Sequence, residues 1–232
     1  MNVVAVIPAL DEADCIASVV EGIRPFVTKV VVADNGSIDS TASAARSAGA
    51  DVIVEAARGY GAACARGVLR AEEMGADVVL FLDGDGSDDP SEAPLLIEPI
   101  TRGEADFVLG RRTNVARSAM TPAQRVGNRL APLAMRVMTG APYHDMPPFK
   151  AIRMSTLRSL DVRDRGHGYT VELMLKAHAR RIRLLEVPVR CLPRRAGESK
   201  VSGTLRGTLR ASAKILSLVA VHGLRAKWEA RP

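Results

Sequence analysis

The sequence has few aromatic side chains and few cysteines. Phe, Trp and Tyr together make up 3% of its 232 residues, so Val, Leu, Ile and Ala must build most of the core. Its three cysteines are odd in number and form no CxxC pair, which argues against a disulfide framework or a zinc site. This pattern favours a reducing compartment, and we expect a cytoplasmic protein.

Long apolar stretches are also missing. No uncharged apolar run reaches the ~18 residues that a membrane-spanning helix needs. The start, MNVVAVIPALDEAD, has no basic n-region and becomes acidic by Asp11, so we expect no signal peptide. A chain of this length should form one domain, with or without a tail.

Strand-like and helix-like stretches alternate over the first 110 residues. The strand-like ones are NVVAVIP, KVVVAD, ADVIVEA, DVVLFLD and ADFVLG. Strands without polar alternation, separated by helices, predict an α/β fold with a mostly parallel central sheet and helices on both faces. Further along, HDMPPFKAIR predicts a loop and a short strand, and Pro188 predicts an edge position for the strand in IRLLEVPVRCLP.

Each of these five strands is followed by Gly or Pro and by a polar or charged residue. The residues in question lie at 8–12, 34–37, 58–61, 83–85 and 110–112. Ligands of parallel α/β sheets bind beyond the carboxyl ends of the strands. The sequence therefore predicts one binding site at this edge, onto which all five loops open.

The densest acidic group follows the fourth strand, in VVLFLDGDGSDDP. Asp88 and Asp89 have the positions of turn formers and helix caps, whereas Asp83 and Asp85 alternate on a glycine-loosened turn and should converge on one point. Two like charges about 4 Å apart repel by roughly 4 kcal/mol at an effective dielectric of about 20. A divalent cation would remove that cost. A plain turn is the alternative; an EF-hand does not fit, because Asp88 stands where that loop needs Gly.

Two further stretches bear on nucleotide binding. RGYGAACARG has Cys64 where a dinucleotide-binding loop needs its third glycine, and it follows the third strand rather than the first, which argues against that fold. Asp34 ends a buried strand before Asn35-Gly36. It is either a turn residue or an acceptor for an N–H group of uracil or guanine.

Together these motifs resemble a known family. VIPALDEAD, VVADNGSIDST, RGYGAA, FLDGDGSDDP and VLGRR occur in the order and spacing of family-2 glycosyltransferases of the GT-A (nucleotide-diphospho-sugar transferase) fold. HDMPPFKAIR, GYTVELMLKA, EVPVR and GESKVSGT resemble the branch that includes dolichyl- and polyprenyl-phosphate sugar synthases. The resemblance covers about residues 3–204.

The resemblance implies where a nucleotide-diphospho-sugar donor and its metal would bind. Asp83-Gly84-Asp85 would be the DxD motif, with Asp85 the main ligand of Mg²⁺ or Mn²⁺ and Asp83 nearer the ribose or the metal. Asp34 would contact the base. Residues implied to line the donor pocket are Pro8, Ala9, Leu10, Glu12, Gly59 and Gly61. Ser87 stands where related synthases can carry a metal-binding Gln, so a third protein ligand is not implied.

The resemblance also implies catalytic and acceptor positions. Arg112 matches an arginine near the phosphates, and Glu172 falls where many relatives carry an acceptor-activating carboxylate. Asp145 is a weaker catalytic candidate. The positions implied around the acceptor are Arg125, Asn128, Arg195, Ser199 and Lys200. A hydroxyl acceptor needs a general base, whereas a phosphate acceptor is already ionised and needs cations instead, so Glu172 is either a base or a positioning group.

We therefore expect an inverting, metal-dependent transfer from a UDP- or GDP-sugar, with polyprenyl phosphate preferred over a soluble hydroxyl acceptor. The alternatives are a sugar-phosphate nucleotidyltransferase, whose Gly-rich, Arg-containing loop is replaced here by PALDEAD, and a nucleic-acid binder, which the acidic loop and the lack of aromatic platforms disfavour. We expect no nucleic-acid partner.

Positive charge is concentrated near the C-terminus. Residues 194–232 hold nine Lys and Arg against two Glu, although the whole chain carries a net charge of only +6. We expect a glycosyltransferase domain over 1–204 and a basic amphipathic helix or tail over 205–232. That helix would pack on its own domain, pack on a second subunit in a homodimer, or touch anionic lipid at the inner face of the cell membrane.

Overall fold

The computed structural model describes residues 1–113 and 132–194. Within them, seven strands form one sheet: β1 (Val3–Ala9), β2 (Lys29–Asp34), β3 (Asp51–Val54), β4 (Val78–Phe81), β5 (Phe107–Thr113), β6 (Lys150–Arg153) and β7 (Leu184–Arg190). Their order across the sheet is β3-β2-β1-β4-β6-β5-β7. The pairings of β6 with β4 and β5 are antiparallel and the others are parallel. The predicted mostly parallel sheet is confirmed.

Helices cover both faces of the sheet, as the sequence predicts. They are α1 (Ala13–Ile23), α2 (Thr41–Ser47), α3 (Tyr60–Glu73), α4 (Ala93–Thr101), α5 (132–139), α6 (Met154–Leu160) and α7 (Tyr169–Ala179). Buried side chains of α1, α2 and α4 form one apolar cluster with the sheet. Those of α3, α5, α6 and α7 form a second cluster on the other face.

The central strands are apolar along their whole length because both of their faces are covered. All seven residues of β1 and all four of β4 are buried. Fully burying a Val, Leu, Ile or Phe side chain contributes roughly 1.5–3 kcal/mol. Helix α3 lies so close to β1 that a Cβ on Gly67 would stand 2.4 Å from Val6 Cγ1, so a glycine is needed at this contact.

Two predictions for the second half of the chain are confirmed. The stretch after the double proline forms β6, and β7, which contains Pro188, lies at the edge of the sheet and pairs with β5 alone. A proline is tolerated there because an edge strand has backbone groups that need no partner. Among the described helices, none has the length and apolar character required to cross a membrane.

The reversed strand β6 decides which strand ends lie together. β1, β2, β3 and β4 are direct neighbours and all run in the same direction, so their carboxyl ends lie side by side. β5 also runs in this direction, but β6 separates it from β4. The residues after β5 therefore lie farther along the edge.

Candidate active site

A cavity of about 470 Å³ opens at the carboxyl edge of the four neighbouring parallel strands. The residues that line it come from six parts of the chain: Pro8, Ala9, Leu10 and Glu12 at the end of β1 and just after it; Asn35 after β2; Arg58, Gly59, Tyr60 and Ala63 around the start of α3; Asp83, Gly84 and Asp85 after β4; Gly166 and His167 before α7; and Arg194 after β7. Most of the residues that the sequence suggests for donor binding are thus together. Asp34 and Gly61 are not among the lining residues.

The acidic stretch after β4 is tightly folded. The amide of Asp83 donates to Asp88 Oδ2 at 3.0 Å, and the amide of Ser87 donates to Asp85 Oδ1 at 2.8 Å. Asp83 Oδ1 is buried and has no hydrogen-bond partner among the described residues. Asp89 accepts from the Ser91 amide at 3.0 Å and caps the short helical turn that follows. Asp88 and Asp89 thus act as turn and cap residues, and Asp83 and Asp85 face the cavity.

The close carboxylates disturb one another's ionisation. Burial, together with the negative charges of Asp85 and Asp88, raises the pKa of Asp83 well above its ordinary value. Burial also raises the pKa of Asp88, although the hydrogen bond from the Asp83 amide acts in the opposite direction. Both shifts express the cost of holding several negative charges in one buried place. Positive charge brought to this site would remove that cost.

Arg194 supplies positive charge to the site. Its Nη2 lies 2.6 Å from Asp85 Oδ2, and its Nη1 lies 3.1 Å from Glu12 Oε1. Both carboxylates are nearly buried, with 6% and 10% of their side chains exposed, and the arginine side chain is 27% exposed. One guanidinium therefore joins the residues after β1 to those after β4.

The carboxylates have the chemistry that a divalent cation requires. Hard cations such as Mg²⁺ take oxygen ligands, and the partnerless Asp83 Oδ1 and the cavity-lining Asp85 offer them. Within residues 1–113 and 132–194, no group of three or more His, Cys, Asp and Glu side chains is arranged to hold a metal. Asp83 and Asp85 thus offer oxygen donors of the kind that such an ion takes.

The end of β2 is held by side-chain hydrogen bonds. Asp34 is buried, and its Oδ1 accepts from the amide of Ser37 at 3.0 Å and from its hydroxyl at 2.5 Å. Asn35 donates to the carbonyls of Glu55 and Ala57 and accepts from the amide of Gly59 at 2.8 Å. These bonds join the end of β2 to the residues after β3.

Residues 163–168 form a loop that lies against the start of α3. The amide of Gly61 donates to Gly166 O at 3.0 Å, and the amide of Ala62 donates to Arg165 O at 2.9 Å. A Cβ on Gly59 would stand 2.2 Å from Arg165 O, and one on Gly61 would stand 2.5 Å from Asp164 O. These glycines therefore permit the close approach that places His167 in the cavity wall.

Glu172, on α7, holds this loop in place. Its Oε2 accepts from the amides of Arg163 and Asp164 at 3.0 and 2.6 Å, and its Oε1 lies 2.7 Å from Lys176 Nζ. Burial works to raise the pKa of Glu172, but the hydrogen bond and charge of Lys176 and the two amides outweigh it, so the pKa lies below its ordinary value. The carboxylate is ionised, and both of its oxygens are hydrogen-bonded or ion-paired. It does not line the cavity.

Arg112 and Asp145 form a buried ion pair near the end of β5. Their side chains are 15% and 9% exposed, and the guanidinium contacts both carboxylate oxygens. Neither residue lines the cavity after β1–β4. Arg112, which the sequence suggests near the phosphates, thus pairs directly with Asp145, which the sequence suggests as a catalytic residue.

A buried lysine lies behind the cavity. Lys150 is fully buried, and its Nζ donates to Pro148 O at 3.0 Å and to Thr170 Oγ1 at 3.2 Å. It also stands 5.2 Å from the centroid of the Phe81 ring. Burial lowers the pKa of Lys150, and the neighbouring charges of Asp83 and Asp88 act in the opposite direction.

Sequence reasoning missed several residues of the cavity and placed others outside the described range. The cavity-lining residues that it missed are Ala63, Gly166, His167 and Arg194, whereas Asn35, Arg58 and Tyr60 lie in loops that it placed at this edge without giving them a role. Arg58, Tyr60 and Ala63 lie next to Gly59 and Gly61, which the sequence had proposed for donor binding. Their closeness to these glycines was the sequence signal that could have identified them. The predicted acceptor residues Arg125, Asn128, Arg195, Ser199 and Lys200, and the predicted tail over 205–232, lie outside the described residues.

Comparison with known proteins gives consistent matches. A family model described as glycosyl transferase family 2 matches residues 4–160. An uncharacterized glycosyltransferase of Mycobacterium tuberculosis is 39% identical over 207 residues, which are 89% of this chain and 93% of that protein. The undecaprenyl-phosphate mannosyltransferase of Micrococcus luteus is 30% identical over 243 residues, covering 99% of this chain and 97% of its own.

Solved structures show the same fold. Glucosyl-3-phosphoglycerate synthase from Mycobacterium tuberculosis, in complex with Mn²⁺, uridine diphosphate and glucosyl-3-phosphoglycerate, aligns with a TM-score of 0.78 and 22% identity. The alignment covers 95% of this chain and 79% of that one. The GT-A fold that the sequence motifs predict is therefore confirmed.

Proposed function

The chain belongs to glycosyltransferase family 2, and on that basis we propose that it transfers a sugar from a UDP- or GDP-sugar to a polyprenyl phosphate. We propose further that the transfer inverts the anomeric carbon and depends on Mg²⁺ or Mn²⁺. The observation that carries this proposal is the cavity at the strand ends, where Glu12, Asp83 and Asp85 come together. A diphosphate and a divalent cation suit such a site because the cation can bridge the two sets of negative charge.

The residues that line the cavity support the proposed binding of a nucleotide-sugar donor. Pro8, Ala9 and Leu10 give it an apolar wall, and Asn35 is fixed in position by its hydrogen bonds. Asp34 is the proposed contact to the base, with its carboxylate oriented by Ser37. Asp83 and Asp85 would hold the cation, which would supply Lewis acidity to the leaving diphosphate.

Positive side chains of the protein would contribute to the same step. Arg58 and Arg194 line the cavity, and negative charge develops on the leaving diphosphate as the glycosidic bond breaks. Cationic side chains within reach of the diphosphate would stabilise this charge as it develops. Gly166 and His167 form part of the wall of the same cavity.

The contacts of the two candidate bases, Glu172 and Asp145, support the choice of a phosphate acceptor. Glu172 already accepts two amide hydrogen bonds and pairs with Lys176, and Asp145 is engaged by Arg112. Neither carboxylate stands in the cavity wall as an acceptor for a substrate proton. A phosphate acceptor needs no proton removed, because it is already ionised at neutral pH, and the relation to the undecaprenyl-phosphate mannosyltransferase supports the same choice.

A second candidate is transfer to the hydroxyl group of a soluble acceptor. The likeness in fold to glucosyl-3-phosphoglycerate synthase favours it. That reaction would require a general base, and Glu172 would first have to give up one of its present partners.

A product assay separates these possibilities. The purified chain is incubated with radiolabelled UDP- and GDP-hexoses and Mn²⁺, and with either undecaprenyl phosphate in detergent or 3-phosphoglycerate. We expect labelled lipid and released nucleoside diphosphate in the first mixture. Label on 3-phosphoglycerate alone would favour the soluble acceptor, and release of pyrophosphate from a nucleoside triphosphate and a sugar phosphate would indicate a nucleotidyltransferase.

A lipid acceptor would bring the enzyme to the inner face of the cell membrane, where the basic segment 205–232 would meet anionic lipid. Co-sedimentation with vesicles of anionic lipid tests this contact. We expect binding at low salt that weakens as salt is raised, because the Debye length falls from about 10 Å at 0.1 M to about 3 Å at 1 M. Vesicles of neutral lipid are the control.

A further inference from the structure

Arg194 forms salt bridges with two carboxylates of the cavity, and one of them, Asp85, is the proposed ligand of the metal. It bridges Asp85 Oδ2 and Glu12 Oε1, although Glu12 precedes it by 182 residues. Because Asp85 is almost fully buried, the guanidinium covers a carboxylate that has little contact with solvent. A charge-assisted bridge of this kind is among the stronger polar contacts in a protein.

The backbone near Arg194 is tied to the same acidic loop. Asp88 and Cys191 form an isolated antiparallel bridge, and the amide of Leu192 donates to Ser87 O at 2.9 Å. These contacts carry the chain from the end of β7 alongside the residues after β4. The position of Arg194 over Asp85 therefore follows from the fold and does not depend on a chance surface contact.

The bridge leaves the charge at the site incompletely balanced. Glu12, Asp83 and Asp85 all line the cavity, and the single charge of Arg194 reaches two of them, while Asp83 Oδ1 stays without a partner among the described residues. A divalent cation at the two aspartates would bring two positive charges, where Arg194 brings one. Arg194 Nη2 lies 2.6 Å from Asp85 Oδ2, so an ion bound to that oxygen would stand close to the positive guanidinium and would be repelled by it.

We propose that Arg194 is a built-in counter-cation, which occupies the carboxylates of Asp85 and Glu12 in the metal-free enzyme and must leave them before the ion and the donor bind. This inference rests on the proposed function, since it assumes that Asp85 is a metal ligand. The contact is autoinhibitory: it keeps the acidic site folded and screened while the site is empty, and it weakens the binding of the ion in the absence of the donor.

The release of Arg194 would also free its charge for the donor. When the guanidinium leaves Asp85, it becomes available to the phosphates of the donor.

The binding of Mn²⁺ alone tests the proposal without any assay of turnover. The loss of the free Mn²⁺ signal in electron paramagnetic resonance gives the dissociation constant for the wild type and for Arg194→Met. We expect Arg194→Met to bind Mn²⁺ about ten- to a hundredfold more tightly, since a hydrogen bond to a charged group contributes about 1.5–3 kcal/mol and each tenfold change in affinity corresponds to about 1.4 kcal/mol.

Arg58→Met is the matched control, because Arg58 lines the same cavity but is not part of the bridge to Asp85 and Glu12. We expect a change of less than about twofold for this variant. Unchanged or weaker Mn²⁺ binding by Arg194→Met would overturn the proposal, and so would an equal gain in Arg58→Met, since that gain would come from the charge of the cavity as a whole.

Two more variants keep the result interpretable. Arg194→Lys retains the charge but loses the forked geometry, so we expect an affinity between those of the wild type and Arg194→Met, and it serves if the methionine variant does not fold. Asp85→Asn should abolish Mn²⁺ binding. If it does not, the metal site of the proposed function fails; if it does and Arg194→Met brings no gain, the inference about Arg194 alone fails.

Discussion

Arg112 Nε donates to Asp145 Oδ2 at 2.8 Å, its Nη2 donates to Oδ1 at 2.6 Å, and its amide donates to Oδ2 at 3.0 Å. Asp145 accepts in addition from the amide of Met146 at 2.8 Å. This forked pair joins β5 to the segment that leads into β6 and is largely buried. Its geometry makes it a structural element of the sheet edge, and it offers a test of what a buried pair contributes here.

We predict that Arg112→Met lowers the free energy of unfolding by about 3 kcal/mol, because removing one partner of a buried pair leaves the other charge uncompensated. Urea denaturation measures this loss. Arg183 makes a similar forked contact with Asp106 at an exposed site, so Arg183→Met is the matched control and should cost much less. A double-mutant cycle with Asp145→Ala should show coupling, and strict additivity would contradict the pairing.

Glu172→Gln should lower the free energy of unfolding by about 1–3 kcal/mol at neutral pH, because two amides and Lys176 lose their ionised partner. The pKa of Glu172 is lowered in the folded state, so its stabilisation is present above the unfolded pKa of about 4.3 and is lost as the pH falls through the folded value. The difference between the wild type and the variant should therefore shrink between pH 7 and pH 3. Urea denaturation at both pH values measures it, and a constant difference would contradict this role.

Gly61→Ala should displace the loop over 163–168, because the new Cβ would stand 2.5 Å from Asp164 O. Overpacking of this kind costs about 1–3 kcal/mol, and affinity for the nucleotide should fall because His167 leaves its place in the cavity wall. Gly166→Ala adds a methyl group to the same loop with its nearest contact at 3.5 Å. We expect a clearly smaller loss of stability for that control, as measured by thermal and urea unfolding.

Asp85→Asn should reduce turnover by at least about a hundredfold, because it removes the charge that would hold the cation at the leaving diphosphate. Calorimetry should show that Mn²⁺ no longer increases nucleotide affinity in this variant. Asp89→Asn is the control from the same acidic stretch, since Asp89 caps the turn at Ser91 and lies outside the cavity lining. Equal activity in the wild type and Asp85→Asn would refute the metal role of this carboxylate.

Local patterns were sufficient to predict most of the sheet. The apolar runs of β1, β2 and β4 and the glycines between them identified parallel strands with helices on both faces, because such runs are stable only when both faces of a strand are covered. The same reasoning placed Glu12, Asp83 and Asp85 at one edge, since parallel neighbours end together. Pro188 identified the edge strand for an equally local reason, its missing backbone N–H group.

Contacts between distant parts of the chain were not predictable in this way. The order of β6 and β5 in the sheet moved Arg112 away from the cavity and into contact with Asp145. Glu172 has the sequence position of an acceptor-activating carboxylate, but only its neighbours reveal that two amides and Lys176 hold it. No periodicity in the sequence records which side chain meets which across the fold.

The sequence by itself determined the class of fold, the edge at which the site forms and the acidic residues that lie there, because burial and strand direction leave few choices to an alternating chain. Only the tertiary structure decided which charges meet. Arg194 reaches Asp85 and Glu12 because β7 pairs with β5 and the chain after it runs beside the acidic loop. Such a partnership depends on the packing of elements that are far apart in the chain, and packing is a property of the folded molecule.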